Sequence, residues 1–550
     1  MRNEILSPAP ILPWPFLIIV ATAFAVLVPF FFLGNPSGHD FEFHVNSWME
    51  VLHQWQHGIV YPRWAEFAQY SYGEARFLFY PPFSWTLGAA LGALLPWKMA
   101  PGAYIFLALS LSGCSMFLLA RTWLNRNDAI FAAAFYAANP YVIVVVYWRS
   151  AFAELLAGAL LPLLLLWALR APEEGRKTVI PLGLIVAAAW LTNAPAAVMV
   201  NYSLALIIVA VAIVRRSPRI LLYGAFAVAL GAALAAFYIL PAAYEEQWVN
   251  IAQVLAPGVR PQDNFLFTLI NDADHNRFNL LISIVAIAEM VALAGAAFLS
   301  RTFRKLTPLG WWALMAWAAA AVLLMLPFTL FAWELLPKLR FVQLPWRWLL
   351  CLNVTLALLV TCVFRRWSTR ALLCLAMLAT LWLVWHRVQP PWWDQAADIA
   401  EMHENIAEGP GYEGTDEYVP VGGDAYEIDQ NARRVVLDGD GQAQIHVLQW
   451  EPESKSFTVL LSQPSKLALR LFNYPAWQVE VNGQITAAET HDVTGQMVIP
   501  LAAGENDVHV TFVRTWDRLV GGIISLLTAL LVMALLVFRK DLRWRSQAQV

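Results

Sequence analysis

Charge is what this sequence has least of. Only 14% of its 550 residues are Asp, Glu, Lys or Arg, where soluble domains carry roughly a quarter. The net charge is −3 and no long basic run occurs, so nucleic acid is a poor partner. Cysteine is scarce as well. Cys114, Cys351, Cys362 and Cys374 all lie in apolar stretches. The less apolar part of the chain has none, which excludes a disulfide framework or a cysteine-held zinc there. Also missing are the Gly-rich phosphate loop of ATPases and a Rossmann turn after a strand. An ATP motor and a soluble nucleotide-sugar enzyme are thereby disfavoured. Neither HExxH nor GxSxG occurs.

What is present is apolar. Hydrophobic residues make up 59% of the chain and the mean hydropathy is +0.55. The 26 Trp suit a membrane–water boundary, where an indole ring is half wet. A helix needs about 20 apolar residues to cross a bilayer. Runs that meet or approach this are 11–33, 103–122, 129–147, 152–169, 178–193, 195–214, 219–241, 279–299, 309–327, 345–364, 370–387 and 518–538. The first is too long for a signal-peptide core and lacks a cleavage pattern, so it reads as a retained helix. A further run, 83–96, is short and Gly-rich. The expected fold is therefore an all-α polytopic bundle of about 12–13 spans.

Positive charge orients the loops. The basic clusters are Arg121/Arg126, Arg170/Arg176/Lys177, Arg215/Arg216/Arg219, Arg301/Arg304/Lys305, Arg365/Arg366/Arg370 and Arg539/Lys540/Arg543. All fall on the cytoplasmic side, with the N-terminus, provided 83–96 does not cross. The outside then holds 34–82, the tight turn 148–151, the loop 241–279, the stretch 328–344 and the long segment 388–517.

The expected domains are a membrane module over 1–388, a β-rich domain over 389–516, and a last helix with its tail over 517–550. From Ser456 onward five stretches read as strands: 457–461, 466–472, 476–481, 496–501 and 507–513. Asn482-Gly483 between alternating runs is a strong hairpin signal. A small β-sandwich follows, serving as a lid or scaffold, since it shows no nucleophile motif. Residues 400–430 are Gly- and acid-rich and read as a loop over the membrane face.

Candidate chemistry gathers near the ends of spans. The first outer loop opens Gly38-His39-Asp40-Phe41-Glu42-Phe43-His44. In a helix Asp40 and His44 share a face; in an extended chain Asp40, Glu42 and His44 do. A partly desolvated carboxylate here can serve as a base, and the three together could hold a divalent cation. The alternative is a wet loop start whose charges merely avoid lipid. Trp48–His57 reads as amphipathic, and with Arg63, Arg76 and the aromatics up to Tyr80 suggests an interfacial helix pair. Arg149 and Glu154 flank a tight turn, as a site or as a mutual salt bridge. Asn193 interrupts an apolar hairpin and could simply cap a helix. Arg340, Gln343 and Arg347 open a span from outside, where guanidiniums either snorkel or bind phosphate. The acids and His275 of 241–279 read as mostly solvated.

Several stretches also resemble a known family. They are GHDFEFHVNSW (38–48), GIVYPRWAEFAQYSYGEARFLFYPP (58–82), YWRSAFAELLAGALLPLLLL (147–166), FVQLPWRWL (341–349) and GYEGTDEYVP (411–420), with FNYPAWQVEVNG and VIPLAAGENDVHVTF near the end. The chain is similar to the bacterial membrane family labelled 6-pyruvoyl-tetrahydropterin synthase-related, and more distantly resembles GT-C glycosyltransferases. Nothing in it suggests pterin chemistry. The resemblance implies a multi-pass protein of the bacterial inner membrane. It implies a sugar carried on a polyprenyl phosphate and moved to a glycan, lipid or protein acceptor on the outer face. Asp40 would be the base and Glu42 the second candidate. His44, Arg63, Tyr80, Arg149, Glu154, Asn193, Arg340, Gln343 and Arg347 would bind substrate. At Asn193 the resemblance leads one to expect His. The competing readings are a transporter or flippase of lipid-linked glycans and a non-enzymatic envelope scaffold. A transporter would carry polar residues at mid-span depth, and few occur.

Overall fold

Apolar length decides most of this architecture. The computed structural model describes residues 14–439 and 441–547. Residues 11–13 of the first expected span lie outside that range, as do the side chains of Arg301, Arg539, Lys540 and Arg543. Nine helices among the described residues are long and apolar enough to cross a membrane, or eleven if each of two bent pairs is one span. One of the nine, Phe152–Thr192, is 41 residues long and contains two of the runs read from the sequence. It turns at Gly175, whose φ of +54° suits glycine, and its arm Val179–Thr192 packs back on Phe152–Gly158. Counted as two arms, it restores twelve crossings. The bends fall at Ala235 (77°) and between Leu324 and Pro327 (96°), where expected spans 219–241 and 309–327 break.

The short run is the helix Pro82–Leu94, 13 residues and about 20 Å long. It is too short to cross. Its start follows Tyr80 and Pro81, which share a cavity with Tyr418. Its end leads to Lys98, whose carbonyl accepts from Asn35 Nδ2 at 3.1 Å. Both ends therefore face the β domain, and the later helices keep their alternation.

The basic turns gather at the opposite end. Trp123–Asn125, Ser300, Phe303 and Cys362–Arg365 surround one polar pocket. Asp128 pairs with Arg370 at 2.5 Å, and Glu173 with Arg215 at 2.5 Å.

The β domain is joined to the bundle by a two-stranded pairing of β1 (Asn35–Pro36) with β2 (Trp393–Asp394). Then come β3 (Val435–Asp438), β4 (Ala443–Glu451), β5 (Ser454–Leu461), β6 (Ser465–Phe472), β7 (Trp477–Val481), β8 (Gln484–Thr486), β9 (Glu489–Thr490), β10 (Gln496–Leu501) and β11 (Gly504–Phe512). They form two antiparallel sheets, β3-β6-β10-β9 and β4-β5-β11-β7-β8. Phe457, Val459, Leu467, Leu469, Ile499, Val508 and Val510 form the buried layer between them. Asn482 and Gly483, both at positive φ, make the β7–β8 turn that pairs Val481 with Gln484.

Two expectations change. The start of the segment 400–430, read as loop, is instead the end of a helix, Ala396–Ala407, capped by a reciprocal Gln395/Asp398 box. The segment after Trp48 does not lie bare on a membrane surface. It belongs to the helix Phe41–Gln56, whose Trp48, Glu50 and Val51 are fully buried. Arg76 is buried too, bonded to Glu74 at 2.6 Å.

Candidate active site

The site begins where two chain segments press together backbone to backbone. Asp40 donates its N–H to the Arg149 carbonyl at 2.9 Å, and Gly38 donates to Ser150 Oγ at 3.0 Å. Only glycine fits at 38, since a Cβ there would lie 2.4 Å from the Arg149 carbonyl carbon. The partner segment is a tight π-type turn, Val145–Arg149, closed by Ser150 in the left-handed region. This contact brings the Asp40 and Arg149 side chains to the same place.

There Arg149 Nη2 meets Asp40 Oδ2 at 2.9 Å and Nη1 meets Glu154 Oε2 at 2.5 Å. Arg347 Nε reaches the same Glu154 oxygen at 3.1 Å. Its Nη1 is held by the Val342 carbonyl and by Gln343 Oε1. The Tyr141 hydroxyl bonds Glu154, and the Arg149 guanidinium lies 4.9 Å over the Trp346 ring. Glu154 and Arg149 are 2% and 3% exposed, whereas the Asp40 side chain keeps 33%. Of the four charges, Asp40 is therefore the one open to a substrate.

Asp40, Arg149, Glu154, Gln343, Trp346 and Arg347 line a cavity of about 690 Å³. Its side wall is apolar, with Trp190, Val198, Ile239, Val254 and Phe341. Burial pushes the Asp40 carboxyl up, but Arg149, His44, Arg347 and His39 outweigh it, and it titrates below the ordinary carboxylate range. His44 is 2% exposed among the rings of Phe43, Trp48, Tyr80 and Phe152. Burial pushes its pKa down to about 4, so the imidazole is neutral at pH 7.

The helical form of 41–56 sorts the acidic opening. Asp40 and His44 share a face and enter the cavity; Glu42 is exposed and outside it. Asp40, Glu42 and His44 therefore do not form a ligand set, and among the described residues no group of three or more His, Cys, Asp or Glu could hold a metal ion. Tyr80, Arg149, Glu154, Asn193, Gln343 and Arg347 line the cavity. Asn193 also caps the helix Ala194–Arg215, accepting from the Ala196 N–H at 2.9 Å. Arg63 and Arg340 are not part of the lining. Arg63 lies over Tyr61 beneath the β domain.

Other lining residues were not singled out from the sequence. Glu246, Asn264 and His275 come from the loop read as solvated, and Lys338 stands where Arg340 was expected. Thr415, Glu417 and Tyr418 come from the acid-rich segment. That segment is bolted down. Glu74 accepts from the Thr415 N–H at 2.9 Å, and the Tyr412 hydroxyl bonds Glu50 at 2.5 Å. Both carboxylates are fully buried. The signal that could have found it is the Gly411/Gly414 spacing. A Cβ at either would lie under 2.5 Å from Phe67 or Glu74 atoms.

Curated protein sequences offer no match to the chain. Solved structures that resemble it include ArnT from Cupriavidus metallidurans bound to undecaprenyl phosphate, at 13% identity and TM-score 0.44, covering 72% of this chain and 76% of that one. A second is the oligosaccharyltransferase of Archaeoglobus fulgidus in the apo form, at 14% identity and TM-score 0.38, covering 74% and 57%. A third is AglB from the same organism with an inhibitory peptide and a dolichol-phosphate, at 14% and 0.39, covering 74% and 56%. A family profile described as 6-pyruvoyl-tetrahydropterin synthase related domain, membrane protein, matches residues 77–389, more than half of the chain, and the chain belongs to that family.

Proposed function

We propose that this protein is a membrane glycosyltransferase that moves a sugar from a polyprenyl-phosphate donor to an acceptor on the face carrying the β domain. The observation that carries the reading is one half-open carboxylate, Asp40, paired with the buried Arg149, with the buried Arg347 joined to it through Glu154, in a cavity with apolar lining. The face with the β domain is the outside of a bacterial inner membrane, and the basic turns are cytoplasmic.

The reaction is a single displacement at the anomeric carbon. The acceptor oxygen forms a bond to that carbon while the bond to the phosphate oxygen breaks. The electron pair stays on the phosphate, which goes from one negative charge to two. The acceptor hydroxyl proton passes to Asp40. Its lowered pKa keeps Asp40 ionised at neutral pH, ready to accept.

The pairing couples the two events. Arg149 Nη2 is held by the Asp40 carboxylate in the resting site. As Asp40 takes up the proton it loses its charge and its grip on that N–H. Arg149 is then free to face the phosphate as the second charge develops. Glu154 keeps both guanidiniums in place from behind. The lipid tail runs along Trp190, Val198, Ile239 and Phe341. No metal enters this scheme.

Purified Asp40→Asn, assayed for transfer from a polyprenyl-phosphate sugar, should lose about 10²–10⁴ in kcat with donor binding kept. Full activity would remove Asp40 from the chemistry and sink the reading.

A further inference from the structure

A second part of the cavity lining, which reaches Asp40 and His44 through Tyr80, is built differently. This roof holds Phe79, Tyr80, Tyr238, Thr415, Glu417 and Tyr418. Phe79 and Tyr418 stack with centroids 5.9 Å apart and planes within 4°. The Tyr238 hydroxyl donates to the Phe79 carbonyl at 2.6 Å. Phe79, Tyr418 and Tyr238 are almost wholly buried, at 9%, 8% and 4% exposure, and show the cavity only their edges beside the more open ring of Tyr80.

Glu417 is the odd member of this roof. The four charges at the floor satisfy one another, but the Glu417 carboxyl forms no ion pair among the described residues. The charges acting on it are Glu74, Arg76 and Asp416, and Arg76 is already taken by Glu74 at 2.6 Å. Burial, with help from Glu74 and Asp416, pushes its pKa up to about 7. A carboxyl that is half neutral at pH 7 is a poor anchor for a cation. It is a good partner for hydroxyls, which it can serve as acceptor or donor. Aromatic rings beside hydrogen-bonding oxygens suit a sugar ring, whose two sides are C–H surfaces and whose rim is hydroxyls.

We propose that this roof is the acceptor subsite and that it takes a neutral saccharide. The sugar packs on Tyr80 and the edges of Phe79 and Tyr418, and its hydroxyls bond Glu417 and Thr415. The inference rests on the transferase reading and supplies the class of acceptor. The roof is preformed, because the buried Glu74 and Glu50 fasten residues 412–418 to the outer loop. The apolar side wall, with Ile239 and Phe341, is left to the donor's lipid.

The test is saturation-transfer difference NMR on the full-length protein in lipid nanodiscs. The probes are methyl β-D-glucopyranoside, methyl α-D-mannopyranoside and n-propylamine. The glycoside C–H protons should be saturated by the wild type. Glu417→Ala should weaken glycoside binding roughly ten-fold, the loss of about one charge-assisted hydrogen bond. Glu417→Gln should keep most of it, because the amide oxygen still accepts. Three outcomes overturn the proposal: no glycoside contact in the wild type, equal contact in wild type and Glu417→Ala, or propylamine contact that Gln and Ala both abolish. The last would mark a cation site instead. This readout needs no turnover, so its failure is separate from that of the transferase reading, which Asp40→Asn tests.

Discussion

At the scale of single residues, burial decides which side chains keep their ordinary chemistry. His44 is enclosed by four rings and faces Asp40, Arg149 and Arg76. Desolvation dominates, so the folded protein holds it neutral until the pH falls to about 4. In the unfolded chain the same imidazole takes a proton below about 6.5. Between those values the unfolded state binds more protons, so stability must rise with pH, by about 1.4 kcal/mol per unit for this one group. Asp40 acts in the same sense but in a lower window, since its pKa lies below the ordinary range. The contribution of His44 is thus fully lost near pH 4 and recovered above pH 6.5. His44→Phe keeps the aromatic contacts and removes the proton site. Thermal unfolding in detergent between pH 4.5 and 7 should then show a flatter pH dependence in the variant, and parallel curves would refute the burial argument.

At the scale of elements, the site is a product of two docked segments, and the docking depends on one missing side chain. Gly38→Ala would place a Cβ inside the Arg149 backbone. The strand-like segment 34–40 must lift, taking Asp40 off Arg149. A loss of about 1–3 kcal/mol is the usual cost of overpacking, seen here as a lower Tm together with lost transfer activity. Gly522→Ala, with open space around it, is the matched control and should be silent. What was legible in the sequence follows from the same physics. The spans were legible because lipid demands a long apolar run. β7 and β11 were legible because one face is buried and their residues alternate, and β5, β6 and β10 because they are short apolar, β-rich runs bounded by turn residues. β4 was missed because it is an edge strand with exposed residues on both faces, and no period of two survives. Charges at span ends pointed to Asp40, His44, Arg149, Glu154 and Arg347, because charge near lipid needs a partner. Glu417 gave no such signal, since an acid in an acidic, Gly-rich stretch looks like any solvated loop. Arg63 and Arg340 carried the same signal as Arg347 but lie elsewhere. Proximity to a span end does not say which way a side chain turns.

At the scale of the whole molecule, the cavity exists only because distant parts of the chain close on one another. Its floor comes from 38–44 and 149–154, one wall from 338–347, and its roof from 415–418, beyond the last but one span. The buried Glu50–Tyr412 and Glu74–Thr415 contacts join roof to floor across more than 340 residues of sequence. Such a chamber is useful only on the side where its acceptor lies, so the orientation of the bundle is part of the functional argument. The basic turns meet at the end away from the β domain, and the proposed reading, following the positive-inside rule, requires that end to be cytoplasmic. Two exposed serines test this directly. Ser462 lies between β5 and β6, and Ser368 in the first turn of the helix Trp367–Arg387, next to the basic Arg365-Arg366. The four native cysteines are free and sit within helices, which keeps the background low. In intact cells whose outer membrane has been opened, a membrane-impermeant maleimide should label Ser462→Cys and spare Ser368→Cys until the inner membrane is broken. The reverse pattern would turn the bundle over. The chamber would then face the cytoplasm, and a transferase working on the outer face would be ruled out while the fold stood unchanged.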